Sequence, residues 1–234
     1  MNETPNSVHE ALDADARVPS EADLETLSRQ LNRPVRDVVE IGARCVCGNP
    51  LVATTAPRLS SGIPFPTTYY LTHPVITSAV SRLEAAGLMN EMNERLGADP
   101  QLASAYASAH ESYLANRDAI GARSGTGEVP EIAGVSAGGM PTRVKCLHVL
   151  VGHSLAAGPG VNPLGDEALA GIAEWWTVDR CYCAGAWDTE APVPQRDRSR
   201  HVKTQEKQDP QAKRAERARR RAETEAASNG EERN

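Results

Sequence analysis

A chain of 234 residues, 40% of them hydrophobic, has the length for one medium domain with flanking tails, and no run of it approaches the roughly 18 apolar residues a membrane span needs. With one Phe, three Trp and five Tyr, its core must be built from Leu, Val, Ile and Ala. The net charge of −6 is uneven: Gln195 to Asn234 holds 12 Lys/Arg against 8 Asp/Glu, a net of +4, which leaves the rest at −10, and an acidic body repels phosphate backbones and is not expected to bind nucleic acid.

Residues 1–19 are polar, acidic and aperiodic, so they read as a disordered segment and not as a signal peptide. Ser20-Glu21-Ala22-Asp23 is a capping-box-like helix start, with Leu24, Leu27 and Leu31 at helical spacing and Asn32-Arg33-Pro34 as the stop. Val35 to Cys45 and Leu51 to Pro57 read as two strands around the turn Gly48-Asn49-Pro50, a hairpin with Cys45 and Cys47 at its tip. Thr67 to Thr72 is a third extended run.

Thr72-His73-Pro74 marks a helix start, since proline suits the first turn; Val75, Ile76, Ala79, Val80 and Leu83 share one face of that helix. Gly87 interrupts it, and Leu88, Met92 and Leu96 continue the pattern. Asp99-Pro100 starts another helix with Leu102, Tyr106, Ala109 and Tyr113 inward and His110 on its polar, solvated side. Residues 121–140 form a long loop of small residues. Thr142 is expected to cap a helix that ends near Gly158-Pro159-Gly160, with Val144, Leu147, Leu150, Val151 and Leu155 as its core stripe. Asn162 to Asp166 reads as a turn with an Asp cap leading into a short helix that carries Trp175 and Trp176. The charged stretch after Pro192 has no aromatic residue to stack on bases; weak, salt-sensitive contact with acidic or anionic partners is its expected use.

Five cysteines without framework spacing are expected to stay reduced, as in a cytoplasmic protein. Thiolate and imidazole are good zinc ligands, and Cys45, Cys47, His73, Cys146 and His148 are the candidate metal set, which joins the hairpin tip to the Cys146 helix. A [2Fe–2S] cluster is the weaker variant. Positions i and i+2 of a helix point about 160° apart, so one ion takes both Cys146 and His148 only if the helix begins near Lys145 or later. An alternative makes Cys146 a nucleophile, activated by the helix start and its cationic neighbours, with His148 or His73 as base. Arg58, Arg143 and Lys145 are the candidate contacts for a phosphorylated small molecule. In the plainest alternative these thiols and rings are core, and His73 only caps the amides of Val75 or Ile76. Cys181-Tyr182-Cys183 reads as flexible thiols at a domain edge, with joining a cluster as the alternative.

Five motifs in order carry a resemblance: Arg44-Cys45-x-Cys47-Gly48-x-Pro50, Pro64-Phe65-Pro66-Thr67-x-Tyr69-Tyr70-Leu71-Thr72-His73-Pro74, Gly138-Gly139-Met140-Pro141, Val144-Lys145-Cys146-Leu147-His148 and Asn162-Pro163-Leu164-Gly165. Over roughly residues 20–175 the chain resembles the bacterial domain-of-unknown-function family DUF501 in its actinobacterial form. The resemblance implies a small cytoplasmic protein and carries over no activity.

The expected fold class is α+β: a small, mainly antiparallel sheet of about three strands packed against four to six helices, with disordered termini. The expected division is a disordered segment over 1–19, a domain over 20–180 and a basic flexible tail over 181–234. Three functions compete: a zinc-type metal protein, an enzyme using Cys146 or the cation-lined pocket, and an adaptor working through the tail.

Overall fold

The structure, a computed structural model, describes residues 14–195. The first thirteen residues and the tail from residue 196 lie outside the described part, and with them most of both segments expected to be disordered. The compact unit runs to Pro194. Cys181 to Pro194, which composition groups with the tail, lies within that unit.

A single turn, α1 (Ala14–Arg17), precedes α2 (Glu21–Gln30). Ser20 caps α2 with the full reciprocal box: its hydroxyl accepts from the Asp23 amide at 3.1 Å, and Asp23 accepts from the Ser20 amide at 2.9 Å. Three antiparallel strands follow, β1 (Val38–Arg44), β2 (Pro50–Thr55) and β3 (Tyr69–Leu71), in the order β1-β2-β3. Ala43, Val52, Tyr69 and Leu71 face the main core. Ile41 and Ala53 face the other way and pack with Leu27 of α2. The central strand β2 is buried along its whole length because both faces are covered.

The remaining helices are α3 (Pro74–Ala85), α4 (Leu88–Ala98), α5 (Pro100–Arg123), α6 (Leu147–Ala157) and α7 (Pro163–Gly171). Gly87 joins α3 to α4 at φ 92°, a left-handed conformation that favours glycine. Asp99 caps α5 through the amides of Gln101 and Leu102. The α+β class and the three-strand sheet stand as expected, with six helices of nine residues or more among the described residues. Among the described residues no helix is long and apolar enough to cross a membrane.

Helix α6 is the hub of the body. Its residues Leu147, Leu150, Val151, Gly152, His153, Ser154 and Leu155 are all buried, as in a helix packed on every side. It lies against β3, α3 and α7. The long loop before it starts at Ser124, contains the 3-10 turn Pro130–Ile132, and is tied down from below. Buried Arg117 of α5 donates to the carbonyls of Ile132 (3.1 Å) and Val135 (2.6 Å). His110 is buried rather than solvated, its Nδ1 2.9 Å from the Ser136 hydroxyl, because this loop covers the α5 face read as polar.

Three caps differ from expectation. Helix α6 starts at Leu147 with Cys146 as its N-cap, not from Thr142. The amides upstream are committed elsewhere: Arg143 to Gly139, Val144 to the Asn93 side chain, Lys145 to Gly138. Helix α7 is capped by Asn162, whose Oδ1 accepts from the Gly165 amide at 3.0 Å, while Asp166 turns back to the Gly160 amide. That helix ends at Gly171, so Trp175 and Trp176 sit in the turns beyond it. His73 precedes α3 but makes no side-chain cap.

One ion pair fixes the sheet beside the hairpin tip. The Arg44 guanidinium grips Asp23 of α2 with contacts of 2.7 and 2.9 Å, and also reaches the carbonyls of Ala16 and Gly48. Arg44 holds the Asp23 carboxyl at about 2, below its ordinary 3.8. A lowered carboxyl stabilises the fold above its unfolded value, near pH 4, and the contribution disappears as pH falls through about 2. The full contribution is on the order of 2 kcal/mol. Asp23→Asn is therefore expected to be less stable than wild type at pH 6, with the gap in unfolding free energy closing toward pH 2 in urea titrations.

Candidate metal centre

The tip of the β1–β2 hairpin is a tight loop. Cys45 donates its amide to Asn49 (2.8 Å) and Gly48 returns its own to Cys45 (2.7 Å). Gly48 takes φ 90°, and this turn brings Cys45 and Cys47 to one side. The Cys47 amide donates toward the Cys45 sulfur and the Asn49 amide toward the Cys47 sulfur, and the Asn49 side chain lies 3.4 Å from Cys47 Sγ. Such N–H donors stabilise thiolates over thiols.

Across from the tip stands the segment after Trp176. The sulfurs of Cys45, Cys47, Cys181 and Cys183 all lie within 4.8 Å of one another, with Cys47 and Cys183 at 3.5 Å. A tetrahedral ion about 2.3 Å from each of four sulfurs puts those sulfurs about 3.8 Å apart. The group therefore needs only small shifts of its sulfurs to hold one ion. Cys45 and Cys183 are buried and Cys47 and Cys181 exposed, so the cluster is half sunk into the body's surface.

The thiols are uneven in acidity. Burial raises Cys45 and Cys183, and the hydrogen bond with Cys47 raises Cys183 further. Burial also works against ionising Cys47, but the Asn49 amide and the sulfur contacts outweigh it and bring it down to about 7. One thiolate forms readily and its negative charge discourages the next. A divalent cation reverses that repulsion, since a coordinating thiol is deprotonated outright.

His73 lies beside this cluster without being one of its four ligands. It is fully buried, its Nε2 is 3.5 Å from Cys183 Sγ, and the Trp187 ring meets it edge-on at 5.6 Å. Burial lowers it to about 4, so it is neutral at pH 7. With its proton on Nε2 the ring donates to the Cys183 sulfur, the kind of contact that orients a metal ligand.

The five ligands expected as one set fall into two groups. Cys45 and Cys47 meet Cys181 and Cys183, with His73 against Cys183. Cys146 and His148 meet Glu84 of α3 instead. Helix α6 starts late enough for the pair to converge: Cys146 Sγ is 3.9 Å from His148 Nδ1. Glu84 Oε1 lies 3.2 Å from the same nitrogen and accepts the Leu147 amide at 2.7 Å. The opposite nitrogen, Nε2, is 3.1 Å from the Thr77 carbonyl and 3.3 Å from the Ser81 hydroxyl.

The nucleophile reading draws on the same two side chains, Cys146 and His148. The hydrogen bond with Cys146 comes first among the influences that raise His148 to about 9, against burial and with help from Glu84. An imidazolium beside a thiol favours the thiolate, and a cation bound at Nδ1 would take the place of that nitrogen's proton. Arg58 is engaged by Glu131 at 2.7 and 2.8 Å, while Arg143 and Lys145 are exposed. His153 is core: fully buried, stacked on Tyr69 at 5.6 Å and edge-on to Tyr113 at 5.2 Å, and lowered to about 4 by burial.

Sequence reasoning kept Cys181 and Cys183 as cluster members only in the alternative and missed Glu84 as a partner of the second group. A signal for the first two was present: Cys181-x-Cys183 repeats the Cys45-x-Cys47 spacing, so two equal pairs stood at either end of the domain. Glu84 carried no comparable mark, being one acidic residue in the last turns of an amphipathic helix.

Fold and geometry together define an α+β body with a four-cysteine group able to hold a metal ion at its hairpin tip. Residues 41–170 match the family described as Protein of unknown function (DUF501). That span is more than half of the chain, and the chain belongs to this family. Cys45, Cys47, Glu84, Cys146 and His148 fall inside the matched span; Cys181 and Cys183 lie just past it. No curated protein and no solved structure matches the chain.

Proposed function

We propose that this protein is a cytoplasmic zinc-type metalloprotein whose four-cysteine centre is structural: one ion, ligated by Cys45, Cys47, Cys181 and Cys183, fastens the C-terminal end of the body to the hairpin tip. The observation that carries the reading is the convergence of four sulfurs, from two segments far apart in the chain, within 4.8 Å. Four thiolates in a closed tetrahedral arrangement are the donor set of structural zinc, with no position left open for a substrate. Sulfurs this close surround a single ion; two irons bridged by sulfide require the thiolate pairs to stand further apart. The amide donors at the tip and His73 behind Cys183 supply the outer contacts that such ligands use. Thiols that must remain available to a metal suit a reducing compartment.

Metal analysis of the full-length protein tests this. Purified wild type is expected to carry zinc, and Cys181→Ser/Cys183→Ser to carry about one equivalent less. Equal zinc in the two proteins, or less than about a tenth of an equivalent in wild type, would end the proposal.

A further inference from the structure

The structure assigns a second, separate metal site to Glu84, Cys146 and His148, of the open type in which three protein ligands leave a fourth position for water or a small ligand. The three ligand atoms converge within 4.8 Å, and their spacing is that of a coordination shell. A zinc-class ion with a sulfur at about 2.3 Å and nitrogen or oxygen near 2.05 Å places sulfur about 3.6 Å from nitrogen and nitrogen about 3.3 Å from oxygen in a tetrahedron. The observed separations are 3.9 Å from Cys146 Sγ to His148 Nδ1 and 3.2 Å from His148 Nδ1 to Glu84 Oε1. The sulfur and the carboxylate oxygen thus approach the same ring nitrogen from two different elements, the start of α6 and the end of α3.

The outer contacts supply an independent observation. A metal-binding histidine commonly donates its other ring N–H to a carbonyl, which fixes the tautomer. His148 Nε2 lies 3.1 Å from the Thr77 carbonyl, an acceptor only, so Nε2 carries a proton and Nδ1 is the nitrogen left to face the ligands. The carboxylate is held in the same way, by the Leu147 amide on Glu84 Oε1 at 2.7 Å. Both contacts come from rigid helices, α3 and the first turn of α6, so the ligands are set before an ion arrives. All three residues are half-buried, and the group offers three ligand atoms. The donor set is mixed and of borderline softness, which suits Zn²⁺ and its neighbours over Mg²⁺ or Ca²⁺.

The test uses full-length protein equilibrated with Zn²⁺ by dialysis, with bound metal counted per chain. Wild type is expected to bind about two equivalents. Cys181→Ser/Cys183→Ser and Cys146→Ala are each expected to lose one, and not the same one, so the two sites fail separately. Glu84→Gln preserves volume and an acceptor for the Leu147 amide, so it tests the site with the start of α6 intact. It should weaken the second ion by roughly ten-fold or more. In Cys181→Ser/Cys183→Ser loaded with Co²⁺, a thiolate-to-cobalt charge-transfer band should appear and vanish on adding Cys146→Ala. The inference is overturned if wild type and Cys146→Ala bind equal metal, or if Glu84→Gln leaves every affinity unchanged.

Discussion

Loss of the ion from the four-cysteine centre, by Cys181→Ser/Cys183→Ser or by a strong chelator, is expected to lower the melting temperature by roughly 10–20 °C. The closure joins Cys47 to Cys183 across 136 positions. A cross-link of that span removes about 5 kcal/mol of chain entropy from the unfolded state on the loop-closure scale. A bound ion acts in the same sense, because the unfolded chain does not present the site. In a body of this size each kcal/mol moves the midpoint by about 2–4 °C. The effect should also be local: Cys181 to Pro194 should lose amide protection first, because the cluster ties this segment to the hairpin. Calorimetry with and without chelator, followed by hydrogen exchange, checks both parts. A midpoint that chelator leaves within about 2 °C would show that the clamp contributes no stability.

The second large effect is expected at Gly165→Ala. Gly165 sits in the first turn of α7, where that helix presses on α6. A Cβ there would fall on the Leu150 carbonyl and the Ser154 hydroxyl. Backbone in the buried middle of α6 cannot yield, so α7 must move away and uncover Leu164 and Ala168, both of which are fully buried. Overpacking of this kind costs about 3 kcal/mol or more, well beyond the roughly 1 kcal/mol that alanine gains in helix propensity. Gly97→Ala provides the contrast: it lies in α4 with open space around it, and should stabilise the fold by about 0.5–1 kcal/mol. Urea unfolding of the two variants should shift the midpoint in opposite directions. A Gly165→Ala protein as stable as wild type would mean that the contact between α6 and α7 is looser than described.

Much of the fold was legible because it is written locally. The Ser20–Asp23 box, the Gly48 turn, proline at the start of α3 and α5, and the Leu and Val stripe of α6 each depend on residues a few positions apart. The misplaced cap of α6 shows the limit. Thr142 is a good capping residue, but the amides that follow it are taken by Gly139, Gly138 and Asn93. His110 failed for a related reason: a polar-looking side of α5 is covered by a loop that starts a dozen residues further on.

By itself the sequence determined the class of fold, the order of its elements, and the residue types available for metal chemistry. Helix and strand preferences, caps and turns act over a few residues, and five cysteines are visible in any order. Only the tertiary structure decided the partnerships: Cys45 and Cys47 with Cys181 and Cys183, His73 behind Cys183, and Cys146 with His148 and Glu84. Which sulfur meets which depends on how the sheet, α3 and α6 pack. That packing is the sum of many apolar contacts distant in the chain, and no short stretch of residues encodes it.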